Sequence, residues 1–434
     1  MQVEVTEKGL ERRLKVEVPA EQVEEEVRSR LQALARQVRI DGFRPGKVPL
    51  KVVERRYGSS VRREVRDALI QSTFTRALAE HRLRPAGGAS FELEGELAPG
   101  AALRYTAVFE VYPEFEARLP EGAEVERPQA AVTEEDVERM IQKLRRQRAE
   151  WVAVDREAGE GDRVVIDFRG TVDGQPFPGN EGKDYVVELG GGTVVKGFDR
   201  ALLGARAGES RSFDVDFPED YRVPQLAGKR VHFDVQVKEV REARLPELDE
   251  AFFQAFGVQE GGLEALRREV RASMERELEQ AVRERVKRAV MDALLAANPD
   301  VELPRSLVSR EVEVLKRQLG AGPAPGTEEE AQRRWEGRLE AQARRRVALG
   351  LIVAELVRRL ALQADPAQVR ARVEAIAASY EQPEEVIRWY YSDRERLVEV
   401  ETSLLEDQVV EKALEVARIS ERPMSFDELM GAGG

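Results

Sequence analysis

The chain is predicted to fold as an α+β multidomain protein, and three observations predict it. Its 434 residues exceed what a single core usually organises. Apolar residues alternate at period two in two separate regions, one before residue 112 and one between 151 and 240. From Leu245 onward they step by three or four, the spacing of amphipathic helices.

Residues 1–112 form the first domain, of α/β type. Val3 and Val5, then Leu14, Val16 and Val18, read as strands. Pro19 suits an early helix position, and Val23, Val27, Leu31, Leu34 and Val38 follow at helical spacing. The octapeptide Gly42, Phe43, Arg44, Pro45, Gly46, Lys47, Val48 and Pro49 ends that helix, since glycine permits sharp turns and proline fixes φ. A second helix carries Val52, Val53, Val61, Val65, Leu69 and Phe74. Strand-like runs at Phe91 to Glu94 and Leu103 to Phe109 close the unit.

Residues 113–150 connect. Pro113, Pro120, Gly122 and Pro128 punctuate them. Thr133 to Asp136 resembles a capping box opening a helix with Val137, Met140, Ile141 and Leu144. That helix needs an apolar partner its own flanks do not supply.

Residues 151–245 read as a compact, mostly antiparallel β domain. Alternation marks Val164 to Phe168, Tyr185 to Leu189, Ser212 to Phe217 and His232 to Val237. Turns are expected at Asp173–Gly174 and Gly190 to Gly192.

Residues 246–420 are helical. Leu263, Leu266, Val270, Met274, Leu278, Val282, Val286, Val290 and Leu294 make one long stripe, broken at Asn298–Pro299. Further stripes run through Val308 to Leu319, Val347 to Leu362, Val369 to Tyr380 and Leu397 to Leu414. A self-satisfied bundle is the default for such a region. The segment 421–434, with glycines at 431, 433 and 434, is expected to be a flexible tail.

Net charge is −13 with 35% charged residues, which argues against bulk nucleic-acid affinity. The charge is uneven, however. Twelve basic residues lie between Arg28 and Arg66, opposed only by Asp41, Glu54 and Glu64. Such a segment implies one anionic docking surface held by salt-sensitive contacts, or simply a solvated helix face. The absence of cysteine excludes disulfides and thiolate chemistry. His81 and His232 are isolated in sequence, so no metal and no cofactor are expected. The N-terminal residues show no secretory pattern, and the greasiest run, Val347 to Ala354, is too short for a membrane span. A soluble, cytoplasmic protein without membrane contact is expected.

The octapeptide should form a stiff loop tip displaying Phe43, Arg44 and Lys47 together, or a helix–helix turn whose Phe tucks into its own core. Its pattern resembles the ribosome-docking signature of the bacterial trigger factor family. That resemblance implies that Gly42 through Pro49 contact the large ribosomal subunit near the exit tunnel, protein and rRNA alike.

The middle domain resembles the FKBP-type peptidyl-prolyl isomerase fold. Val165 to Gly170 with Asp173 to Phe177 match that family's opening strand and turn. Leu189 through Phe198 match the stretch opening its short helix, and Phe217 to Tyr221 with Phe233 to Val235 complete the frame. The resemblance implies a pocket lined by Phe168, Phe177, Tyr185, Val194, Val195, Phe198, Tyr221 and Phe233. In it Phe198 is the floor, and Tyr221 offers a hydroxyl to the substrate backbone. Pro178 stands where many relatives are acidic, which puts catalytic strength in doubt. Aromatics at strand spacing also suit a plain core.

The same resemblance implies that 113–150 packs with the helical region, whose arms hold nascent and unfolded polypeptides without nucleotide. The expected function is a ribosome-associated, ATP-independent chaperone that isomerises X-Pro bonds, with possible homodimerisation off the ribosome. The rivals are a scaffold whose FKBP-like domain is inactive, and a free isomerase for which ribosome contact is incidental.

Overall fold

A computed structural model describes the chain except residues 42, 44–46, 96, 192–194, 196, 220, 222, 224–225, 321–328 and 432–434, and only the backbone of 329 and 331. The chain forms two compact units, each discontinuous in sequence. One comprises Met1–Arg127 with Arg285–Glu421, the other Pro128–Glu284 with Arg422–Gly434.

The first unit opens with β1 (Gln2–Lys8) and β2 (Glu11–Val18), then α1 (Ala20–Gln37) and α2 (Leu50–Glu80), then β3 (Ser90–Leu93) and β4 (Leu103–Glu110). The strands form an antiparallel sheet in the order β1-β2-β4-β3. Alternation decides its buried face: Leu14, Val16 and Val18 lie opposite Ala107, Tyr105 and Leu103, and all are buried. Val23, Val27 and Leu31 of α1 and Val53, Val61, Val65 and Leu69 of α2 join the same core. The Tyr105 hydroxyl reaches Thr73 at 2.8 Å, satisfying both polar groups in that core.

β5 (Glu124–Gln129) follows, then α3 (Glu134–Gln147). The expected capping box is present, with Thr133 and Asp136 bonding each other's backbone. In the second unit come β6 (Glu150–Val154), β7 (Arg163–Thr171), β8 (Glu181–Glu188), α4 (Phe198–Leu202), β9 (Ser210–Asp216) and β10 (Arg230–Arg244). The sheet order is β6-β10-β7-β8, with β9 also beside β10 and the pairs β6–β10, β7–β10, β7–β8 and β9–β10 antiparallel. The Asp173–Gly174 turn is a tight one, both residues at positive φ between bridged Val172 and Gln175.

α5 (Glu250–Ala255) and the long α6 (Gly262–Ala297) come next, the helix running on from the second unit's sequence into the first's. Within the second unit, Val137 and Ile141 of α3 pack with Phe252, Phe253, Leu266, Val270, Met274 and Leu278. This gives α3 the apolar partner it lacked.

The remaining helices are α7 (Arg305–Leu319), α8 (Glu329–Arg359), α9 (Pro366–Ala377), α10 (Pro383–Tyr391) and α11 (Arg394–Val416). α7 and α8 pack through Val308, Leu315, Leu339 and Ala343, and α9 and α11 through Val369, Val373, Val400 and Leu404. Two polar clamps order the first unit. The buried Asn298 amide accepts from the Arg118 N–H at 2.8 Å, donates to the Arg118 carbonyl at 2.9 Å, and donates to the Leu294 carbonyl at 2.8 Å. Asp407 of α11 accepts from Lys287 at 2.9 Å and from Arg372 at 2.8 Å.

The expectation of a flexible tail is corrected. β11 (Arg418–Pro423) pairs with β5, and α12 (Phe426–Met430) is closed by a Ser425–Glu428 capping box. Phe426 is 6% exposed and joins the core of α3, α5 and α6. Glycines beyond residue 430 suggested disorder, but one buried ring with its cap suffices to dock the segment before them.

Candidate functional site

Eight aromatic rings gather on one face of the second unit's sheet. Alternation on β7, β9 and β10 points Phe168, Phe213 and Phe233 the same way, with Phe213 directly opposite Phe233. Gly197, at φ 109°, turns the chain so that α4 begins on Phe198. Phe198 then meets Phe233 edge-on at 5.0 Å between centroids, and Phe213 and Phe168 at 5.3 and 6.5 Å. Phe217 stacks on Phe233 at 6.4 Å and receives Tyr221 edge-on at 4.7 Å. Tyr185 meets Phe168 at 5.5 Å and is 48% exposed, a rim position.

Two glycines make room for these rings. A Cβ on Gly170 would stand 2.9 Å from Phe233 and 3.1 Å from Phe177, and one on Gly182 would stand 2.6 Å from Phe168. Asn180 ties the Phe177 turn to the strand: its carbonyl accepts the Gly170 N–H at 2.6 Å and its side chain donates to the Gly170 carbonyl at 2.9 Å.

The structure thus brings together Phe168, Phe177, Val195, Phe198, Tyr221 and Phe233, with Tyr185 at the edge. Val194 lies outside the described residues. Phe198 and Phe233 are 7% and 6% exposed, so they form the inner wall. Pro178 is exposed. Phe213 and Phe217 were missed as wall rings; their place in an alternating strand, in phase with Val215, was the available signal.

The chemistry open to such a wall is limited and specific. An X-Pro amide at the top of its rotation barrier, about 18–20 kcal/mol up, has lost resonance and much of its dipole. An apolar, aromatic surround favours that twisted state over the polar planar one. No cluster of His, Asp or Glu suited to a metal occurs among the described residues. His232 faces the other side of the sheet, bonded to Asp214 at 2.7 Å, and that bond raises its pKa. A hollow of about 470 Å³ carries the charged Asp167, Lys183 and Asp234 in its lining, beside Phe168, Gly182 and Val235.

Of the octapeptide, Gly42, Arg44, Pro45 and Gly46 lie outside the described residues. Ile40 and Val48 on either side are buried in the core of the first unit and anchor the loop. Phe43 is 39% exposed and Lys47 is exposed. Pro49 starts α2 at its N-cap. Of the nearby cations, Arg62 is neutralised by a bidentate pair with Glu24 and Arg66 by Asp67, while Arg28, Arg30, Arg39, Arg55, Arg56 and Arg63 are exposed. On the helical hairpins Tyr380, Trp389 and Tyr391 are 57%, 53% and 47% exposed, which sequence periodicity alone did not distinguish from buried positions.

Comparison with known proteins bears on each region. Residues 1–144 match the family model "Bacterial trigger factor protein (TF)", 154–238 match "FKBP-type peptidyl-prolyl cis-trans isomerase", and 262–415 match the trigger factor C-terminus. Trigger factor of Thioalkalivibrio sulfidiphilus is 47% identical over 99% of this chain and 98% of its own length. That of Alkalilimnicola ehrlichii is 48% identical over 99% and 95%. A solved structure of the trigger factor chaperone covers 96% of this chain with a TM-score of 0.51 and 18% identity, a likeness of fold.

Proposed function

Because the chain belongs to the bacterial trigger factor family, we propose that its aromatic pocket is the isomerase site and its octapeptide the ribosome-docking loop. The protein is a ribosome-associated, ATP-independent chaperone with a peptidyl-prolyl cis–trans isomerase domain. The observation that carries the site assignment is the ring assembly around Phe198 and Phe233 inside the FKBP-type segment. Phe168, Phe177, Val195 and Phe233 would surround the proline, with Val194 beside them. Tyr185 would form the rim, Phe198 the floor, and Tyr221 would hydrogen-bond the substrate backbone. Rings already packed against one another argue against an inactive scaffold, even with Pro178 at the rim.

Phe43, Arg44 and Lys47, held between Gly42, Pro45, Gly46, Val48 and Pro49, would dock the large subunit near the exit tunnel through an apolar ring and two cations. The free isomerase reading has no use for so exposed a phenylalanine within so basic a segment. Exposed Tyr380, Trp389 and Tyr391 offer nascent and unfolded chains a weak apolar hold. Off the ribosome, the same surface would serve a second copy, giving a homodimer. Among the described residues no helix is long and apolar enough to cross a membrane, and the absence of Cys fits a cytoplasmic setting.

Peptide isomerisation by Tyr221→Phe tests the pocket without removing a ring. The expected result is a fall in kcat/KM of roughly tenfold, the value of one hydrogen bond to the transition state. An unchanged rate for both this variant and Phe198→Ala would refute the pocket.

A further inference from the structure

The pairing of β7 slips on both of its sides, and the two slips meet. Against β8, Ile166 lies opposite Tyr185 but Phe168 lies opposite Gly182, so Asp167 alone spans Asp184 and Lys183. Against β10, Ile166 lies opposite Val237 but Val165 lies opposite Glu239, leaving Lys238 as the extra residue. Each slip is a β-bulge, one residue inserted into a ladder.

A polar lock joins the two bulges. The Asp167 carboxylate accepts the Asp184 N–H at 2.8 Å. Lys238 reaches Asp184 at 2.7 Å and Asp167 at 3.1 Å. Asp184 sits at φ 53°, a left-handed conformation that a non-glycine residue adopts only when something holds it. The Asp184 amide and then Lys238 hold the Asp167 carboxyl below the usual carboxylate range.

The first bulge decides what lies beneath Phe168. In an unbroken ladder continuing from Ile166 and Tyr185, Phe168 would face Lys183. A one-residue slip exchanges the two faces of a strand. The bulge instead puts Gly182 there, leaving space that a single Cβ would fill to 2.6 Å. Lys183 turns to the outer face, where it and Asp167 line the same hollow. The second bulge acts likewise on β10: it keeps Val240, not Glu239, opposite buried Val164.

We propose that Asp167 and Lys238 are positioning residues for isomerisation: they lock the paired bulges that keep Gly182 under Phe168 and hold Lys183 out of the pocket. Neither touches substrate. The proposal rests on the reading of the aromatic pocket as the isomerase site.

The test uses the full-length chain and a tetrapeptide substrate, with Asp167→Asn, Lys238→Met, Lys238→Arg and the pocket variant Tyr221→Phe. The expected result is a fall in kcat/KM of roughly tenfold in Asp167→Asn and Lys238→Met, with recovery in Lys238→Arg. Amide exchange gives a reading independent of activity. The Asp184 N–H should exchange faster in Asp167→Asn, while β9 amides keep wild-type protection. Unchanged exchange at Asp184, or wild-type kcat/KM in both variants while Tyr221→Phe is impaired, overturns the lock and leaves the pocket standing. A loss in Lys238→Met that Lys238→Arg does not restore also overturns it, since contact rather than charge would then matter. If Tyr221→Phe and Phe198→Ala both keep the wild-type rate, the pocket reading itself is at fault.

Discussion

Phe198 and Phe233 meet at 89°, the edge of one ring against the face of the other, with centroids 5.0 Å apart. The first ring opens a five-residue helix and the second is the fourth residue of β10, so the contact joins α4 to the sheet. Such a pair contributes about 0.5–1.5 kcal/mol beyond its buried area. The pocket wall is therefore also part of the domain's core, and substitutions that only narrow it are more informative than those that empty it.

Gly182→Ala is one of these. The added methyl would press on Phe168, a ring itself bounded by Phe198, Phe233 and Tyr185. We expect a domain destabilised by about 1–3 kcal/mol, as for other overpacked sites, and isomerase activity reduced more than the melting shift explains. Peptide isomerisation measured well below the melting temperature, with calorimetry alongside, checks this. Wild-type kcat/KM would mean that Phe168 is free to yield.

The proposed docking loop makes a different prediction. Phe43 and Lys47 are exposed, so replacing Phe43, Arg44 and Lys47 together by alanine should change folding stability by no more than about 0.5 kcal/mol. It should abolish pelleting with ribosomes. Wild-type pelleting should weaken as salt rises, each phosphate contact adding about one to the logarithmic salt slope. Equal pelleting of the two proteins would place docking on another surface.

Asn298 gives a prediction about the first unit. Alanine there strands the part-buried N–H and carbonyl of Arg118 and the buried Leu294 carbonyl, and frees the end of α6. The expected cost is about 2–4 kcal/mol, three hydrogen bonds with their partners left unsatisfied. A urea midpoint lower than wild type at unchanged slope is the measurement, and an unmoved midpoint would mean that water replaces the amide.

The Asp407 clamp sets a pH dependence. Burial pushes that carboxyl up, but the bonds from Lys287 and Arg372 outweigh it and hold the group below the usual carboxylate range. A carboxyl depressed on folding stabilises the native state above its unfolded value, near 3.9, and loses that contribution as pH falls through the folded value. Asp407→Asn should therefore lower stability at pH 7 by about 1–3 kcal/mol and flatten the loss of stability below about pH 4. Urea titrations at pH 7, 5 and 3 compare the slopes; parallel curves would exclude the clamp as an acid-sensitive contact.

Much of this fold was legible because its elements obey simple periods. Val23, Val27 and Leu31 mark α1, and Leu14, Val16 and Val18 mark β2, since each pattern buries one face. Thr133 and Asp136 announced α3 through their capping chemistry. What stayed hidden depended on register. Nothing local says that two steps on β7, from Ile166 to Phe168, match three on β8, from Tyr185 to Gly182, because a bulge is fixed by the partner strand. The run His232 to Val237 kept its period, and the slip showed only at Lys238 and Glu239, where two polar residues fall side by side. The Phe426 segment was missed for the opposite reason: the sequence feature, Ser425 with Glu428, was present, and the glycines after it drew the reading toward disorder.

The placement of Phe426 has a consequence for how this protein is itself made. The core of the first domain uses residues between Leu14 and Val111 and can close while most of the chain is still unsynthesised. The core around α3 needs residues as far apart as Val132 and Phe426. Translation delivers them in that order, so α3, α5 and the start of α6 must wait with an incomplete apolar surface until the last of their partners emerges. A helper of unfinished polypeptides is thus, for most of its own synthesis, an unfinished polypeptide of the kind it shelters.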